Sequence, residues 1–162
     1  MMVLMNENRH IILPCFFGVV ICLLIAGIEG WVTASNTSHW YYALNKPFFN
    51  PPSFLFAPVW TVLYIMIGVA AGLIWQRREK HRALFSWFIL QLIFNFLWSF
   101  FFFAGESIRW ALIDILLLWI TLLITLGYAY KYYITVVYWL TPYFLWVTFA
   151  TVLNFSIWIL NN

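Results

Sequence analysis

The residues able to do chemistry inside an apolar stretch are few, and their spacing groups them. Gln91, Asn95, Trp98 and Phe102 recur at i, i+4, i+7 and i+11, which puts two amides and an indole on one helix face. An amide against lipid is costly, so that face is expected to point inward. Asp114, within ALIDILLLW, shares a face with Trp110, Leu118, Thr121 and Thr125, and reads as the only carboxylate well inside an apolar run. It is open to two readings, a functional group or a packing residue bonded to Asn95 or to a helix end. A third series, Pro142, Trp146, Ala150, Asn154 and Trp158, is spaced by four.

Other chemistries lack their residues. His10, His39 and His81 fall in loops without ligand spacing, so no metal is expected. Paired catalytic carboxylates, a phosphate-cradling Gly-rich loop and a nucleophile triad are missing. The net charge of +3 is dispersed, with no basic stripe, so no nucleic-acid partner is expected. Cys15 and Cys22 lie seven apart on one helix, a rise of about 10 Å that no disulfide bridges.

The elements that must carry these groups are membrane helices. The chain has 162 residues, 65% hydrophobic and 8% charged, with mean hydropathy +0.92, whereas soluble domains carry about 25% charge. We expect an all-α integral membrane domain over 1–162, a five-helix bundle in membrane lipid, with spans near 11–29, 53–76, 83–104, 106–128 and 134–160. Span one is read as retained and not as a cleaved signal, because its apolar run is too long. Gly18, Cys22, Ala26 and Gly30 give it a small-residue seam, and Gly68-x-x-x-Gly72 gives span two another; either is a candidate dimer contact. Pro58 either marks the first turn of span two or kinks it.

A long first connection, 31–52, holds Lys46, Pro47, Pro51 and Pro52 and contains the sequon Asn36-Thr37-Ser38. Ser38 is expected to cap a short helix running to Leu44, which puts Trp40, Tyr41 and Leu44 on one side as a cover over a cavity. The amino terminus, the 77–82 loop and Lys131 share one side and hold six of the eight basic residues, against Lys46 and Arg109 opposite. The positive-inside rule puts that side in the cytoplasm.

In this order, WYYALNKPFFNPPSF, PVWTVLY, QLIFNFLWSFFFF, ALIDILLLW and PYFLWVTFATVLNFSIWILN resemble the blocks of the TspO, or translocator protein (peripheral-type benzodiazepine receptor), family along nearly the whole chain. The resemblance implies a first loop acting as a lid and, in a bacterial cell membrane, a homodimeric receptor or sensor with a regulatory role in tetrapyrrole or stress metabolism. It implies porphyrin binding (protoporphyrin IX or heme), with sterols and benzodiazepine-type ligands as further candidates and no cofactor required.

Carried over by motif, the ligand site holds Tyr41 and Pro51 from the lid, Phe56 and Trp60 from the second span, and Asn95 and Trp98 from the third. Asp114 comes from the fourth span, and Trp146, Ala150 and Leu153 from the fifth. The chemistry suits a tetrapyrrole, since an indole supplies both a stacking face and a donor. Trp31, Trp75, Trp87 and Trp110, near span ends, read instead as interface anchors. Two departures stand out: Phe155 replaces the tyrosine of a terminal sterol-recognition pattern, and Phe49 stands where relatives often carry Trp. The generic sterol pattern over Leu126 to Lys131 is weak. Transport of tetrapyrroles or sterols, and porphyrin breakdown by light and oxygen at Trp60 and Trp146, are the alternatives.

Overall fold

The structure is a computed structural model that describes the backbone of residues 2–37 and 39–162 and the side chains of 10–37 and 39–162. Among the described residues it is all-helical: α1 (Met2–Asn36), α2 (His39–Ala43), a 3-10 turn (Ser53–Leu55), α3 (Phe56–Gln76), α4 (Arg82–Ser99), α5 (Ile108–Tyr132) and α6 (Ile134–Leu160). Five segments, His10–Asn36, Ser53–Gln76, Arg82–Ala104, Ile108–Tyr132 and Ile134–Leu160, are long and apolar enough to cross a membrane. The proposed cap at Ser38 lies outside the described residues.

Two spans differ from expectation in their bounds. α1 continues past Glu29 to Asn36, because Glu29 and Val32 both pack inward; the first connection therefore begins at 37, not 31. The fourth span starts at Ile108 and not at Glu106, because Glu106 adopts φ 46° and Ser107 caps the helix by accepting from the Trp110 amide. It then runs on to Tyr132. Pro58 is the third residue of α3 and so costs no helical hydrogen bond.

The helices pack in the order α1, α3, α6, α5, α4, and α1 closes the ring against the end of α4. There α4 widens into a π turn over Phe100–Ala104, with the Gly105 amide reaching the Phe100 carbonyl at 2.7 Å. Buried residues from all five long helices form the main core, among them Cys22, Ile67, Phe88, Leu122 and Tyr143. The opposite face of α1, through Phe17, Leu24 and Trp31, is exposed to the lipid region.

The small-residue seams have a different use from the one expected. Gly18 faces Gly68 so closely that a Cβ on Gly18 would lie 2.2 Å from the Gly68 carbonyl oxygen. A Cβ on Gly72 would lie 2.4 Å from Cys15 Cα. The two seams thus lock α1 to α3 within one chain, and neither Gly18, Gly68 nor Gly72 is free to join a second copy. Gly30, by contrast, has nothing within 4 Å of its Cβ position.

Candidate ligand site

The loop between α1 and α3 is built onto one end of the bundle. Asn45 donates its amide to Asn161 Oδ1 at 2.9 Å, and Asn161 Nδ2 donates back to the Asn45 carbonyl at 2.9 Å. Lys46 Nζ donates to the Tyr41 carbonyl at 2.6 Å and sits 4.3 Å from the centre of the Tyr41 ring. Partial burial lowers the Lys46 ammonium below its ordinary value. Burial, then the neighbouring Tyr42, raises the Tyr41 hydroxyl. Trp40, Tyr41, Leu44 and Phe49 pack against Phe102, Ala111, Leu153 and Ile157. Trp40 meets Phe102 edge-on at 5.7 Å, and Phe49 meets Phe149 of α6 at 6.2 Å.

Beneath this loop the aromatic side chains of α3 and α6 meet. Trp60 and Trp146 lie edge to face with centroids 6.5 Å apart, Phe56 lies 6.1 Å from Trp146, and Phe149 lies 5.7 Å from it. Trp60 and Trp146 are therefore in mutual contact, not on opposite sides of a gap. Ala150 packs beside them on the main core, while Leu153 is buried under the loop. Pro51 is half-buried at the loop end.

The α4 face points inward as expected, with Gln91, Asn95 and Phe102 buried. Trp98 stacks on Phe102 at 5.1 Å and donates Nε1 to Asn154 Oδ1 at 3.0 Å. On α5, Asp114, Leu118, Thr121 and Thr125 are buried but Trp110 is 59% exposed. Asp114 does not bond Asn95, whose side chain is engaged by Tyr64 and Tyr143. Its Oδ2, like Trp146 Nε1 and Gln91 Nε2, is buried without a hydrogen-bond partner. Two buried donors and an acceptor thus stand unsatisfied, a state that native interiors seldom tolerate.

Asp114 is not the only carboxylate inside a span. Glu29 of α1 is 8% exposed and lies 2.6 Å from Tyr64 Oη. The chain gave a signal for it: Glu29 follows Ile25 by one turn and precedes Val32, so the inward face continues through it. Tyr64 and Tyr143, also missed, fall four after Trp60 and three before Trp146, on the faces already assigned. Trp31 and Trp75 are exposed, at 69% and 48%, as anchors should be. Among the described residues no group of three or more His, Cys, Asp or Glu could hold a metal, and both cysteines are free.

Fold and interior together define a multi-pass membrane protein with an aromatic-lined helical core and a loop secured across one end. The chain belongs to the TspO/MBR family, whose model matches residues 18–159. It is similar to the tryptophan-rich protein TspO of Archaeoglobus fulgidus, 37% identical over 88% of this chain and 94% of that one. It is also similar to the tryptophan-rich sensory protein of Cereibacter sphaeroides, 34% identical over 75% of this chain and 77% of that one. The human translocator protein is 32% identical over 74% of this chain and 73% of its own length.

Proposed function

We propose that the protein is a membrane receptor or sensor that binds porphyrin, as protoporphyrin IX or heme, in the aromatic site beneath the first loop. The observation that carries this is the unsatisfied Trp146 Nε1, buried where Phe56, Trp60 and Phe149 supply aromatic surface, with a second unsatisfied buried atom, Asp114 Oδ2, on α5. A flat ligand with a polar edge would offer both a stacking face to these rings and a partner to the Trp146 donor. Because the two indoles touch, ligand entry has to part them, and the loop between α1 and α3 acts as the lid that opens and closes on that event. Sterols and benzodiazepine-type molecules are weaker candidates, since they offer fewer polar atoms for the same surface.

On this reading the amino terminus is cytoplasmic in a bacterial cell membrane, supported by the basic residues gathered at the end holding Arg77, Arg78 and Lys131. Homodimerisation belongs to the same reading and has to use a face other than the Gly18, Gly68 and Gly72 seam, which α1 and α3 already fill. The names of two relatives, sensory protein and translocator protein, fit capture of a ligand.

The test is titration of the purified protein with protoporphyrin IX, heme and cholesterol, with product analysis in light and dark. Saturable porphyrin binding without product is expected. Trp60→Phe and Trp146→Phe should each weaken it about tenfold to hundredfold, by analogy with aromatic stacking of bases. Ala150→Leu should obstruct the site, and Trp87→Phe should do nothing. If all three site variants bind porphyrin as the wild type does while folded, the site is elsewhere. Protein-dependent product would favour breakdown, and accumulation in sealed vesicles would favour transport.

A further inference from the structure

Tyr64 of α3 and Tyr143 of α6 are fully buried, and their hydroxyls belong to one hydrogen-bond chain. Tyr64 Oη lies 2.6 Å from Glu29 Oε1 and donates to Asn95 Oδ1. Asn95 Nδ2 donates to Tyr143 Oη at 2.7 Å, and Tyr143 Oη donates to Gln91 Oε1 at 3.0 Å. Ser99 Oγ donates to the other Glu29 oxygen at 3.4 Å. The chain therefore starts on α1, crosses to α3, passes to α4 and α6, and ends back on α4.

A tyrosine hydroxyl donates once, and Tyr64 Oη stands within hydrogen-bond reach of both Glu29 Oε1 and Asn95 Oδ1. The Glu29 link is the one that ties this chain of side chains to α1.

Trp60 rests on both tyrosine rings, with centroids 5.7 Å from Tyr64 and 6.3 Å from Tyr143, and its edge contact with Trp146 completes the cluster. The chain thus lies directly behind the indole pair. We infer that Glu29 is a positioning residue for the aromatic site, anchoring Tyr64 and through it setting the Trp60 indole, although none of the residues proposed for that site is on α1. The inference rests on the proposed ligand site and deepens it, by making a helix that contributes no lining side chain responsible for how one wall is held.

The experiment uses the full-length protein in detergent, with 5-fluorotryptophan incorporated and the Trp60 fluorine resonance assigned by Trp60→Phe. Glu29→Gln keeps a hydrogen-bonding group of the same shape at this position, whereas Glu29→Leu removes it. Without ligand, the Trp60 resonance should move or broaden in Glu29→Leu and in Tyr64→Phe, and should stay in place in Glu29→Gln. With protoporphyrin IX, Glu29→Leu should bind about tenfold more weakly and Glu29→Gln within about threefold of wild type. Adding Glu29→Leu to Tyr64→Phe should cause no further loss, because the two act through one link. Should Glu29→Leu fail to fold, the isosteric Tyr64→Phe and Glu29→Gln variants still decide the matter. The inference is overturned if Tyr64→Phe leaves the Trp60 resonance unmoved, or if Glu29→Gln disturbs it as much as the loss of the hydroxyl does. Failure of wild-type protein to bind porphyrin would refute the ligand reading alone, since the fluorine readout needs no ligand.

Discussion

Gly68→Ala tests the packing that fixes α1 to the bundle. The added Cβ would lie 2.4 Å from Val19 Cα and 2.8 Å from the Gly18 carbonyl oxygen, whereas ordinary contact begins near 3.4 Å. Backbone occupies both sides, so no side chain can rotate away and α1 has to retreat by about 1 Å. In lipid that retreat loses dispersion contacts along the seam that no hydrophobic drive replaces. Overpacking of this kind costs about 1 to 3 kcal/mol, offset by about 0.5 to 1 kcal/mol from alanine's helix preference. A net loss of up to about 2.5 kcal/mol is expected. Gly27 is the control, since nothing lies within 4 Å of its Cβ position, so Gly27→Ala should receive only the favourable part. The assay is unfolding in mixed micelles followed by near-ultraviolet circular dichroism, with mass measured by light scattering. If Gly68→Ala unfolds at the same detergent ratio as Gly27→Ala, the seam does not hold the fold. If instead it halves the mass at unchanged stability, the seam joins copies, contrary to the packing described.

Asp114→Leu should stabilise the ligand-free protein by about 1 to 3 kcal/mol, because a buried oxygen without a partner is removed; it should also weaken porphyrin binding, and a gain in stability with undiminished affinity would remove Asp114 from the site. Asn161→Ala deletes both bonds to Asn45, each worth about 0.5 to 1.5 kcal/mol net. Limited proteolysis between Asn45 and Pro52 should then quicken, and an unchanged cutting rate would show that the loop is held by its aromatic contacts alone. Cysteine placed at Gln76 should resist an impermeant reagent in intact cells while cysteine at Asn50 reacts; the reverse pattern would invert the proposed orientation.

The helices were legible because lipid leaves little choice: an apolar run with its backbone satisfied internally has to be helical. Gln91 and Asn95 could be placed inward on the same ground, since amides avoid lipid. Sequence spacing did not reveal which helices adjoin, and that hid the meaning of Gly18, Gly68 and Gly72; a small residue marks close approach without naming its partner. Glu29 stands at the end of the expected first span, where a carboxylate can reach the surface, and only the continuation of α1 to Asn36 makes it an interior group. The mutual contact of Trp60 and Trp146 was equally out of reach, since it depends on how α3 and α6 cross.

The attachment of α1 also bears on how the protein is made. Translation delivers α1 before α3 and α4, with its glycine seam bare. The Glu29 carboxyl then has neither Tyr64 nor Ser99 to meet, because α3 and α4 do not yet exist. A carboxyl in a lone membrane helix favours its slipping toward the headgroups, a tendency that the contacts with α3 and α4 oppose once they form. α1 is thereby made before the helices that hold it in place. A truncated chain ending before α3 would carry an unmatched polar group in its span, which is the kind of feature by which membrane quality control tells an orphan from a finished protein.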